Sequence, residues 1–406
     1  MAGPVSVGTA RAGGMDMTGL LRTRTGHEAR VGTVELFFDL VFVFAITQLS
    51  HSLLAHATLT GAARTLLLFL AVWWIWVYTT WVTNWLDPDR WPVRLMLFAL
   101  MGVGLLLSMA LPEAWTTHGL AFGGAVATMQ VGRSVFTAAV LRRHSPSNYR
   151  NFLRITLWLC CSGALWIAGG LAGEAARPAY WLAALLIEYA GPAAGFRVPG
   201  LGRSTTADWD VEGGHIAERC GLLIIIALGE SILMTGATTA RLDWSAPVLL
   251  AFLGAFAGTV AMWWIYFNLG AERASHHIAH HADPGRIARL AYTYGHIPII
   301  AGIIMSAASD ELLLAHPTGH VGGPALAFTI GGAGLFLIGN ILFKRVTWGR
   351  VPLSHLVGLA LLAVLAVLPI HDGFVLALAS AGVLILVAAW ETRSLGGAQG
   401  DEGGES

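Results

Sequence analysis

Glu35 and Asp39 stand four residues apart in TVELFFDLVFVFAITQLSH, residues 33–51, a segment that is otherwise largely apolar. On a helix that spacing puts both carboxyls on one face. Other ionisable and polar groups interrupt later apolar runs: Arg133, Glu188, Glu218 with Arg219, Glu230 with Ser231, and Tyr294 with His296; Gln48 and His51 form a second patch on the first segment. Two chemistries fit. Glu35, Asp39, Glu218, Arg133 and Arg219 could neutralise one another as arginine–carboxylate pairs that lock helices together. Alternatively one lone carboxyl, Asp39 or Glu230, could gain and lose a proton, with His296 sharing the path, because a low dielectric favours the protonated acid.

A third candidate is the run His276, His277, His280, His281. If helical, it offers two i,i+4 histidine pairs able to chelate Zn²⁺, Ni²⁺ or Cu²⁺. HIAHH also has the HxxHH form of a membrane di-iron desaturase box, but that chemistry needs several boxes and the chain has one. A solvated turn is the expectation, with no metal and no cofactor. Neither a Walker-type loop nor a Ser/His/Asp signature is present.

The elements that must position these groups are membrane helices. Hydrophobic residues make up 55% of the 406 and charged ones 12%, against about 25% charge in soluble domains; mean hydropathy is +0.65. Net charge is zero, which gives no reason to expect nucleic acid. A span needs about 20 apolar residues. Twelve segments qualify: 33–53, 62–83, 93–111, 119–140, 152–171, 178–196, 213–237, 245–268, 288–313, 322–342, 353–370 and 372–390. With this count, 19 Arg and Lys residues fall on the side of the N-terminus and two, Arg177 and Arg241, on the other. The positive-inside rule then makes both termini cytosolic. The three cysteines, Cys160, Cys161 and Cys220, fall in apolar runs and are read as packing residues.

An internal repeat is expected. Trp73-Trp74-Ile75-Trp76 in the second segment matches Trp263-Trp264-Ile265-Tyr266 in the eighth, and Ser108 with Glu113 in the third matches Ser306 with Glu311 in the ninth. The fold class is therefore all-α, a polytopic membrane bundle of about 12 transmembrane helices as two six-helix pseudo-repeats. The boundaries are a disordered cytosolic tail (1–30), a first half (31–197), a linker (198–212), a second half (213–392) and a second tail (393–406). Trp74, Tyr78, Trp81 and Trp85 lie at helical spacing and suit packing and interface anchoring, or the lining of a substrate or cation site.

VELFFDLVFVFAITQLSHSL, HIAERCGLLIIIALGESIL and YTYGHIPIIAGIIMSA, three separated motifs in order, closely resemble the bacterial low temperature requirement protein A family over about residues 31–345. Matching polar positions are Glu35, Asp39, Gln48, His215, Glu218, Arg219, Glu230, Ser231, Tyr294, His296 and Pro298. The resemblance implies a multi-pass bacterial cell-membrane protein and supplies no mechanism. The expected function is a proton-linked secondary transporter or permease of a small molecule or ion. Alternatives are an integral-membrane enzyme acting on a lipid or small apolar metabolite, and an ion channel, since FFDLVFVFAIT is distantly similar to the first helix of a lysosomal-type potassium channel family. The lipid bilayer is the expected partner, and a homo-oligomer stays open.

Overall fold

A computed structural model describes residues 19–22, 31–142, 145–204, 212–268, 286–287, 289–315 and 321–402. Side chains are described through residue 394. The His276–His281 run lies outside the described residues.

The described chain is all-helical. Twelve helices follow one another: α1 (Thr33–Ala55), α2 (Leu59–Trp85), α3 (Trp91–Ala110), α4 (Gly119–Leu141), α5 (Pro146–Leu171), α6 (Arg177–Ala193), α7 (Gly213–Ala240), α8 (Ala246–Phe267), α9 (His296–Ala315), α10 (Gly323–Trp348), α11 (Leu353–Val367) and α12 (Gly373–Glu402). Each of the twelve predicted segments overlaps one of them. Among the described residues, nine helical segments are long and apolar enough to cross a bilayer. The other three fall short for separate reasons. The 23 residues of α4 are diluted by glycines and by Gln130 and Arg133. Helices α6 and α11 have only 17 and 15 residues.

The helices start where the sequence allows it. Prolines sit in the first turns of α3, α5, α6, α8 and α10, where no intrahelical donor is lost. The Thr58 hydroxyl caps α2 by accepting from Gly61 N at 3.1 Å, as N-caps do. α12 continues through Glu402, into the stretch expected as a tail.

The strongest packing joins α4 to α5 and α9 to α10, and glycine makes both possible. A Cβ on Gly302 would lie 2.5 Å from Phe336 N, and one on Gly332 would lie 2.6 Å from Ser306 Oγ. A Cβ on Gly123 would lie 2.3 Å from the Trp166 carbonyl oxygen. In lipid, such close backbone approach is a main source of helix association. α1 packs on α2 and α3, and α7 packs on α8 and α9; α1 also touches α7.

The ninth segment is broken rather than merely kinked. A π-helical turn, Arg289–Tyr294, precedes α9, and Gly295 N reaches back five residues to the Leu290 carbonyl at 3.0 Å. Pro298 then falls in the first turn of α9, where proline fits a fresh helix start. Groups released by the π turn are taken up by side chains. Trp73 Nε1 donates to the Thr293 carbonyl at 2.8 Å, and Trp81 Nε1 donates to Thr293 Oγ1 at 3.2 Å.

Candidate functional site

Three helix faces bring polar groups together at one end of the bundle. The first turns of α1 and α7 and the last turns of α2 supply them, with one residue from the short segment Gly19–Arg22. Glu35 and Asp39, on one face of α1 as the spacing requires, both meet Arg219 of α7. Arg219 Nη2 donates to Asp39 Oδ1 at 2.5 Å and Nη1 donates to Glu35 Oε1 at 3.0 Å. Trp76 Nε1 also donates to Asp39 Oδ1, at 2.8 Å. His215 Nε2 lies 3.0 Å from Glu35 Oε1. Glu35 Oε2 accepts from Arg22 Nη2 at 2.7 Å and from Gly32 N at 2.9 Å. Glu35, Asp39, His215 and Arg219 have no solvent exposure beyond 0%.

The charges in this hub balance: two carboxylates face two guanidiniums. Isolated ions cannot be left unpaired at such burial, and the geometry meets that demand. Asp39 Oδ2 and Arg219 Nε nonetheless find no hydrogen-bond partner among the described residues. Arg22 comes from the segment read as a tail, and also donates from Nε to the Thr83 carbonyl at 2.8 Å. Leu20 beside it is 2% exposed. Asn84 joins α2 to the start of α7 through Glu212, donating to its carbonyl at 2.9 Å and accepting from its amide at 3.1 Å.

The other predicted site residues lie elsewhere. Glu218 points outward from α7 and accepts from Val31 N at 3.0 Å. Arg133 belongs to a separate cluster: it donates from Nη1 to the Ile75 carbonyl at 3.1 Å and to Thr79 Oγ1 at 2.9 Å, and from Nη2 to Gln130 Oε1. Gln130 passes the chain on to Glu188 Oε2 at 3.0 Å. Glu188 Oε1 accepts from Ser162 and from Trp166 Nε1, each at 2.9 Å. His296 accepts or donates at Nε2 with Tyr266 Oη at 2.7 Å, while its Nδ1 meets the Ala291 carbonyl at 2.9 Å. A carbonyl only accepts, so Nδ1 carries the proton there. Glu230 and Ser231 are buried on α7, and Glu230 forms no hydrogen bond or ion pair with a described residue. Gln48 is half-buried on α1, away from the hub.

Lys344 makes contacts similar to those of Arg133. Lys344 of α10 donates to the Ile265 carbonyl at 3.3 Å and to Glu391 Oε1 of α12 at 2.5 Å. Ile75 and Ile265 are the residues that the Trp-Trp-Ile matching pairs. Arg133 on α4 and Lys344 on α10 thus each donate to an isoleucine carbonyl, of Ile75 on α2 and of Ile265 on α8, and lead to a glutamate, Glu188 on α6 through Gln130 and Glu391 on α12 directly.

Beside the hub lies a cavity of about 350 Å³. Its aromatic wall is Trp74, Tyr78, Trp81 and Phe152, and Arg203 and Arg289 also line it. Tyr189 stacks on Trp74 with ring centroids 3.9 Å apart, and Tyr294 lies 6.0 Å from the same ring. The Trp and Tyr residues at helical spacing on α2 thus combine packing with cavity lining. Volume and lining are those of ordinary small-molecule sites. No group of three or more His, Cys, Asp or Glu able to hold a metal ion occurs among the described residues.

Sequence comparison adds kinship. The profile described as bacterial low temperature requirement A protein matches residues 30–389, extending past the point where the motifs thin out. An uncharacterized protein of Rhizobium meliloti (strain 1021) is 42% identical over 379 residues, covering 92% of each chain.

Proposed function

Since the chain belongs to the bacterial low temperature requirement A family of multi-pass membrane proteins, we propose that it is a proton-linked secondary transporter or permease built from two six-helix halves. The observation that carries this reading is the place of the cavity. Its walls come from α2, α5, α6 and the loop that follows α6 (Ala194, Gly195, Phe196, Arg203 and Ser204), and from the π-helical turn before α9. Transporter sites form at repeat interfaces, where discontinuous helices free backbone groups. The paired clasps at Ile75 and Ile265 support the two-half reading, as does the parallel packing of α1–α2–α3 and α7–α8–α9.

The cavity suggests its own cargo: an amphipathic molecule whose apolar body lies against Trp74, Tyr78 and Trp81 and whose negative group faces Arg203 or Arg289. Asp39 is engaged by Arg219, so the proton-carrying acid is Glu230. The hub holds α1, α2 and α7 together at the cavity's end, which the arginine distribution makes the cytosolic one.

The test is uptake of labelled small amphipathic anions into proteoliposomes with and without a pH gradient. Uptake that collapses with the gradient, and falls at least tenfold in Tyr78→Ala and Glu230→Gln, is the expected result. Uptake indifferent to the gradient in the native protein refutes proton linkage.

A further inference from the structure

At the end of the second half opposite the hub lies a smaller cavity, about 40 Å³, between α8, α9, α10 and α12. It has room for a few water-sized particles. Asp310 lines it together with the hydroxyls of Thr259, Ser306, Ser309, Thr329 and Ser380. No arginine, lysine or histidine is among the lining residues, and the Asp310 carboxyl forms no hydrogen bond or ion pair with a described residue.

The hydroxyl protons are partly accounted for, and this decides what the cavity can bind. Thr259 donates to the Ala255 carbonyl at 3.2 Å and Thr329 to the Ala325 carbonyl at 2.8 Å. Ser309 lies 2.6 Å from Thr329 Oγ1; with the Thr329 proton spent, Ser309 must donate in that bond. These three oxygens therefore turn only lone pairs toward the space. One carboxylate and three hydroxyl oxygens with their protons spent suit a hard cation, and the hydroxyls of Ser306 and Ser380 can turn their lone pairs the same way. A single negative charge balances a single positive one.

We propose that this cavity binds a monovalent alkali cation of about sodium's size, held by the Asp310 carboxylate and the hydroxyl oxygens around it. The ion would cross-link α8, α9, α10 and α12, whose seams meet there, and so stabilise the folded bundle by mass action. Binding does not depend on the transport reading, and the test below measures no transport.

Purified full-length protein in nanodiscs is titrated with NaCl against choline chloride at constant ionic strength and constant pH. Binding of radiolabelled sodium and the thermal midpoint are both read. The expected result is saturable sodium binding near one per chain and a midpoint that rises with sodium. In Asp310→Asn both responses disappear, while the midpoint in choline stays at or above the native value. Ser309→Ala, which keeps the carboxylate, should weaken sodium binding about tenfold; it serves as the second variant if Asp310→Asn does not fold. Two outcomes overturn the proposal: equal responses to sodium and choline, or sodium binding unchanged in Asp310→Asn.

Discussion

Arg219→Gln is the most informative single change in the hub. Among the described residues Arg219 is the only cation that reaches Asp39, whose remaining partner is Trp76 Nε1. Glu35 keeps Arg22 and Gly32 N. The substitution therefore strands one buried carboxylate and leaves the other paired. Breaking a buried pair from one side costs about 3–5 kcal/mol. Asp39→Asn in the same background removes the stranded charge while keeping an oxygen for Trp76. It should restore about 2–3 kcal/mol, the upper range of coupling between contacting residues. The assay is a double-mutant cycle from reversible unfolding in mixed micelles, followed by tryptophan fluorescence. A loss below about 1 kcal/mol for Arg219→Gln, or a double variant no better than the sum of the singles, would refute the claim that these two groups form the lock.

The remaining predictions concern other parts of the bundle. Gly302→Leu should force α9 from α10, since even a Cβ would meet the Phe336 backbone at 2.5 Å. A loss of folded yield in fluorescence-detected size exclusion, with Gly334→Leu as a control that has open space, checks it. Glu188→Leu should cost about 1–3 kcal/mol for each donor left unpaired among Ser162, Trp166 and Gln130, read in the same unfolding assay. Cys160 and Cys161 are exposed on the helix surface and Cys220 is buried. A lipid-soluble maleimide should label the first two in the folded protein and leave Cys220 until unfolding.

The helices were legible in the sequence because apolar length marks a candidate span: a helix answers each of the twelve segments, nine helical segments among the described residues are long and apolar enough to cross a bilayer, and α12 runs past its expected end to Glu402. The cysteines show its limit: an apolar run does not say which face turns inward, and the adjacent pair Cys160 and Cys161 faces outward. In the candidate site, residue types were legible and partners were not. Asp39 and Arg219 lie 180 residues apart, and only the packing of α1 on α7 brings them together. Arg133 has the right charge for the same cluster but leaves α4 on the face toward Ile75 and Glu188. Arg22 was hidden because Gly-, Thr- and Arg-rich composition reads as tail, and composition cannot show that Leu20 anchors the segment. The π turn before α9 depends on where Trp73 and Trp81 can reach Thr293, which the sequence does not show.

Lys344, 1% exposed in its clasp between Ile265 and Glu391, is the only lysine in the sequence. In the folded chain this amine is closed to amine-reactive dyes. Opening the seam between α8, α10 and α12 releases it. Dye stoichiometry thus becomes a count of opened molecules, readable by intact mass without any engineered label.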